Sequence, residues 1–189
     1  DFEKFRENAA ESEFYAAASN LETGEAAYLL TRDLDTPEGM DRIRASASLP
    51  LMSHIVEVDG MKLLDGGVAD SIPFEIMAKK GFEKQVVIVT QPEGYVKKPN
   101  SLVPLFKIIY RKYPKFIEAV RTRHIRYNEC LKTLDEWCNR GTAFRIRPSE
   151  SFDISRLEKD KSKLARLYDL GVKDMTALMP RLMEFLNNV

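Results

Sequence analysis

At 189 residues, with 44% hydrophobic and 31% charged side chains, the chain reads as a soluble globular protein. It is long enough for one domain that buries roughly 70% of its unfolded surface. No apolar run approaches the roughly 20 residues that span a bilayer, and no signal peptide opens the chain. Net charge is zero but uneven: residues 1–41 hold eleven acidic and three basic side chains, residues 97–126 nine basic ones and one acid, Glu118.

In chain order, residues 2–11 read as a helix. "EFYAAAS", 13–19, and "EAAYLLTR", 25–32, read as two strands joined through a hairpin-like turn at "NLETG". Residues 40–49 read as a short helix ended by Pro50. "IVEVDGMKLL", 55–64, contains a complete hairpin, because Asp59-Gly60 suits the positive φ angles of a type I′ turn. That register pairs Val58 with Met61, Glu57 with Lys62 and Val56 with Leu63, and gathers the aliphatic residues on one side.

A second Asp-Gly follows in "LLDGGVADSIP", 63–73. It is not needed to reverse the hairpin, so it sits where a strand ends and the chain leaves sharply. A helix at 72–80 comes next, with Asp70 or Ser71 to accept from its first N–H groups, Pro73 in its first turn and Gly81 to stop it. "QVVIVTQ", 85–91, is apolar on both faces, the pattern of a buried parallel strand. In a strand–loop–helix–strand unit, ligands collect at the loops leaving the carboxyl ends of strands, and Asp65-Gly66-Gly67 is such a loop. The two glycines permit a tight bend and a close approach.

"PEGYVKKPN", 92–100, is the clearest loop and the best boundary, dividing the chain into 1–96 and a helix-rich 97–189. The C-terminal region reads as helices at 102–112 and 115–139, ended by Gly141, a strand at 142–148, and helices at 155–170 and 173–187 divided by Gly171. Phe106, Tyr110, Tyr113, Phe116 and Trp137 are core candidates, with a helical cap over an acyl-chain site as the sharper alternative. The basic stretch 97–126 is either a solvated helical face or a surface for anionic lipid headgroups. No nucleic-acid module is present.

Cys130 and Cys138 fall on one helix, about 12 Å apart in rise, too far for an internal disulfide. Two reduced thiols suit a cytoplasmic protein, with the basic stretch allowing peripheral membrane attachment. No His/Cys/carboxylate cluster has metal-ligand spacing, and no motif calls for a cofactor. A triad of Ser46, Ser48 or Ser53 with His54 and Asp65 is disfavoured, since none of these serines has an elbow's flanking glycines. His54 reads as a loop or packing residue and His124 as surface.

"ASASLPLMSHIVEVDGMKLLDGGVADSIPFEI", 45–76, resembles the second half of the patatin-like phospholipase domain of bacterial members. In that family a small-residue segment ending in proline leads to a hairpin, an Asp-Gly-Gly or Asp-Gly-Ala loop, and a helix with proline at its start. "AAASNLETGEAAYL", 16–29, is similar to the upstream strand pair, and residues 145–175 to the family's C-terminal end. The resemblance implies an α/β fold, a portion of a three-layer α/β/α sandwich, with a helix-rich C-terminal region. It implies hydrolysis of lipid acyl esters by a Ser–Asp dyad, with Asp65 as base and Gly66 and Gly67 shaping the loop.

The family's Gly-x-Ser-x-Gly elbow and Gly-rich oxyanion loop are not among these 189 residues. In that family both lie upstream of the region where this chain begins, and the start at Asp1 suits a trimmed product. The expected partners are a lipid or acyl-ester substrate and the N-terminal half of the same domain. Residues 1–189 alone are expected to be inactive and poorly soluble, because the sheet would be half a sheet. The alternatives are a non-catalytic lipid- or protein-binding module that keeps the loop as structure, or an unrelated α/β protein.

Overall fold

The computed structural model describes residues 2–9, 11–154 and 158–187. The architecture is mixed α/β. In chain order the elements are α1 (Phe2–Ala9), β1 (Tyr15–Asn20), β2 (Ala26–Leu30), α2 (Pro37–Ser46), β3 (Val56–Val58), β4 (Met61–Asp65), α3 (Phe74–Lys79), β5 (Gln85–Ile88), α4 (Val103–Ile109), α5 (Pro114–Asn139), β6 (Ala143–Ile146) and α6 (Lys161–Asn187). They group into two compact units, residues 1–73 with 97–128, and residues 74–96 with 129–189.

The first unit is built on an antiparallel sheet in the order β2-β1-β4-β3. The β3–β4 hairpin has the expected register, Val58↔Met61, Glu57↔Lys62 and Val56↔Leu63. Its turn is formed by Asp59 at φ 51° and Gly60 at φ 74°, the left-handed pair that a type I′ turn requires. Alternation places Val56, Val58 and Leu63 in one core cluster with Ala16, Ala18, Leu29 and Ala45. A second cluster gathers Leu21, Leu64, Val68, Phe106, Tyr110, Phe116, Ala119 and Val120. Phe106, Tyr110 and Phe116 are thus core: Phe106 stacks on Tyr110 at 5.5 Å, and Tyr110 meets Phe116 edge-on at 5.2 Å.

Helix α2 begins three residues earlier than the expected 40–49. Thr36 is its N-cap, accepting from Gly39 N–H at 3.0 Å, and Pro37 takes the first helical position. The helix ends at Ser46, short of Pro50.

In the second unit, β5 and β6 form a parallel pair, with Val86↔Phe144 and Ile88↔Ile146. This corrects the reading of β4, α3 and β5 as one parallel unit, since β5 is not in the sheet that holds β4. Nor is β5 covered on both faces: Val87 is buried, but Val86 is 40% and Ile88 72% exposed. Gly81 and Gly141 end α3 and α5 as read, both at positive φ. At each, the residue after glycine donates back to the carbonyl five residues earlier (Phe82 to Met77, Thr142 to Trp137), a Schellman closure. Trp137 packs edge-on against Phe74 at 4.8 Å.

Gly171 does not divide the C-terminal segment into a pair of helices, because α6 runs unbroken from Lys161 to Asn187 with Pro180 inside it. The backbone at Gly171 keeps a negative φ, and glycine in a helix costs only about 1 kcal/mol against alanine, too little to stop a long amphipathic segment. The expected helix start at 155–157 lies outside the described residues, and 158–160 are not helical.

Candidate functional site: the Asp65 loop

Strand β4 ends at Asp65, and the chain turns at once into a single 3-10 turn, Gly66–Val68. Asp65 caps this turn: its Oδ1 accepts from Gly67 N–H at 2.7 Å. Among the described residues, the second carboxylate oxygen, Oδ2, accepts no hydrogen bond. Asp65 is half-buried.

The backbone around it is held by buried polar atoms. Asp65 N–H donates to Ser48 O at 2.8 Å. Ser19, fully buried, donates its hydroxyl to Asp65 O at 2.8 Å and accepts from Ala69 N–H at 2.9 Å. One side chain on β1 thereby satisfies both ends of the turn, which is what buried backbone groups demand. Gly66 lies against β1 so closely that a Cβ there would meet Ala17 O at 2.2 Å. Only a residue without Cβ fits that approach.

Gly67 lies against the bonded oxygen of the carboxylate, Oδ1. A Cβ on it would lie 2.9 Å from Asp65 Oδ1, 3.1 Å from Arg123 Nη2 and 3.8 Å from Ser71 Oγ. The missing side chain therefore marks a small space bounded by a carboxylate, a guanidinium and a hydroxyl. Ser71 donates to Gly67 O at 2.7 Å. Asp70 accepts from Tyr28 OH at 2.6 Å and from Ile72 N–H at 3.2 Å, before α3 begins at Phe74.

Helix α5 closes the loop from the other side. Arg126 donates through Nη2 to Val68 O at 2.9 Å and to Ala119 O at 2.8 Å. Burial lowers its pKa, opposed by the charges of Glu118 and Asp70. Arg123, one turn earlier, brings its guanidinium to the space over Gly67. These two arginines, read from sequence as members of one basic surface, are turned toward the loop instead. Ser19, Tyr28, Arg123 and Arg126 escaped the sequence reading, because each acts through a contact distant in sequence and none belongs to a motif.

The serines weighed against Asp65 are placed elsewhere in chemistry: Ser48 is buried and donates to Arg44 O at 2.7 Å, while Ser53 and His54 are exposed. His124 is half-buried rather than surface, with Nδ1 buried and no hydrogen-bond partner.

The second unit contains a cavity of about 500 Å³ whose lining includes Arg145, Arg147, Arg181, Glu93, Asp174 and Cys138. Several of its charged groups are paired or hydrogen-bonded. Arg147 meets Glu93 at 2.5 Å, Arg145 pairs with Asp135, and bonds from Ser149 hold Asp174 below the usual carboxylate range. Burial pushes the Cys138 thiol up, away from the reactive thiolate.

Residues 2–78, which include the whole Asp65 loop, match the patatin-like phospholipase family. Over these residues the N-terminal portion of the chain is similar to that family. It is a family of lipid hydrolases, and the match ends within α3. Residues 113–187 match a different family, a domain of unknown function (DUF6363). The stretch 145–175, expected to continue the patatin-like likeness, falls inside that second match. The uncharacterized protein YjjU of Escherichia coli (strain K12) is 33% identical over 98 residues, which cover 42% of this chain. The chain covers 28% of that relative's length.

Proposed function

We propose that Asp65 is the general base of a Ser–Asp dyad that hydrolyses acyl esters of lipids. The nucleophilic serine stands in a Gly-x-Ser-x-Gly elbow outside residues 1–189, in the rest of the same domain. The observation that carries this reading is the division of labour on the Asp65 carboxylate. Oδ1 is fixed by Gly67 N–H, while Oδ2 is left to accept a proton. A serine hydroxyl is a poor nucleophile until a base within about 2.6–3.2 Å takes its proton.

In the proposed sequence, the serine proton passes to Oδ2 as Oγ bonds to the acyl carbon. The resulting oxyanion collapses, and the C–O bond to the leaving alcohol breaks as Asp65 returns the proton. Water then repeats the cycle on the acyl-enzyme and frees the carboxylic acid.

A second reading, a non-catalytic module, draws on the same hydrogen bonds, from Ser19 Oγ and Gly67 N–H and to Ser48 O, which hold the loop as structure without any chemistry. Labelling separates the two. A fluorophosphonate probe should label the longer protein on one serine outside residues 1–189. The 189-residue chain alone should take no label and turn over no nitrophenyl ester. A label on Ser46, Ser48 or Ser53 would overturn the placement of the nucleophile.

A further inference from the structure

Helix α4 is mostly apolar, with Lys107 its one charged residue. Phe106 and its C-cap Tyr110 point into the core, and Val103 packs against it. Leu105, Ile108 and Ile109, with Leu102 at the N-cap, are exposed, Ile108 to 72%. The spacing 102, 105, 109 with 108 puts these four on one face, opposite the buried one. A contiguous exposed aliphatic face of this kind marks a surface for a partner or for lipid.

The charge around this face is of one sign. From Gly94 to Ile117 there are six lysines and arginines and no Asp or Glu. Of these, Lys98, Lys107, Arg111, Lys112 and Lys115 are exposed. The structure thus splits the basic stretch in two. Arg123 and Arg126 serve the Asp65 loop, while the exposed cations of 98–115 flank the aliphatic residues of α4 along the chain. Aliphatic side chains flanked by lysines suit the boundary between headgroups and acyl chains. Single-stranded nucleic acid would instead call for exposed aromatic platforms.

We propose that the outer face of α4 docks on an anionic membrane surface, with Leu105, Ile108 and Ile109 entering the acyl boundary and Lys107, Arg111 and Lys112 meeting phosphate and carboxylate headgroups. Among the described residues no helix is long and apolar enough to cross a membrane, so this contact lies on the bilayer rather than through it. The proposal concerns where the protein sits, and its readout involves no turnover, so it fails or survives separately from the hydrolase reading.

The test is sedimentation of the full chain with vesicles of phosphatidylcholine alone and of phosphatidylcholine with phosphatidylserine. Binding should appear with the anionic vesicles and weaken as salt shortens the reach of exposed charge to a few ångströms. The triple variant Lys107→Gln, Arg111→Gln, Lys112→Gln should lose about a hundredfold in affinity, at about fivefold per cation. The double variant Ile108→Ser, Ile109→Ser should lose at least about tenfold, from the apolar area no longer buried. Equal binding to both vesicle types would overturn the proposal. So would a double variant that binds like the wild type, or a dimer in which a second copy covers Ile108 and Ile109.

Discussion

The loop at Asp65 and strand β5 both carry aliphatic runs, Leu63-Leu64 before the loop and Val86-Val87-Ile88 in the strand, yet their surroundings differ. Leu63 and Leu64 are fully buried, and the loop after them is bonded by Ser19, Ser48 and Arg126, all within the first unit. Strand β5 buries Val87 and leaves Val86 and Ile88 open, although its pattern is that of a strand covered on both faces. The difference separates two kinds of information. The position of Asp65 is fixed by contacts inside residues 1–73 and 97–128, whereas the open face of β5 has no counterpart among the described residues.

If the loop is as tightly enclosed as this, Gly66→Ala is the harshest small change there. The new Cβ meets the backbone carbonyl of Ala17, which cannot rotate away as a side chain would. Overpacking of this kind costs about 3 kcal/mol, a fall in Tm of roughly 10 °C for a chain of this size. Calorimetry on the full chain reads it, and a Tm within 2 °C of wild type (about 0.5 kcal/mol) would mean that β1 and the loop are not in close contact.

On the open side the expectation is the reverse. Ile88→Thr keeps a β-branched side chain at an exposed strand position, so stability should stay within about 0.5 kcal/mol of wild type. A loss of 2 kcal/mol or more, on the scale of about 2 kcal/mol for a buried aliphatic side chain, would show that this face is covered in solution, and the comparison would need redrawing.

What was legible in the sequence follows the same line. The β3–β4 register was readable because Asp59-Gly60 specifies a turn whose geometry fixes the pairing locally. The stops at Gly81 and Gly141 were readable for the same reason, each closing its helix within six residues. Gly171 carried the same letter without the conformation, and α6 passed through it. The start of α2 lies three residues before the expected one, where Thr36 and Pro37 form a capping pair. The partner of β5 was not legible at all: β6 lies more than fifty residues on, and an aliphatic run does not say which strand it joins.

The site divides likewise. Asp65, Gly66 and Gly67 stand in a motif and could be named as candidates from sequence alone. Ser19 and Arg126, which hold that motif in place, are single polar residues in apolar or basic contexts. Only the fold shows that Ser19 spans Asp65 O and Ala69 N, or that Arg126 reaches Val68 O.

The central claim is that Asp65 takes a proton through Oδ2. Asp65→Asn tests it most directly, because the amide keeps an oxygen to accept from Gly67 N–H and loses the basic group. In the longer protein that carries the nucleophile, kcat/KM for a nitrophenyl ester should fall by at least about a hundredfold, with Tm unchanged. A purified Asp65→Asn protein that keeps most of the wild-type rate would contradict the account.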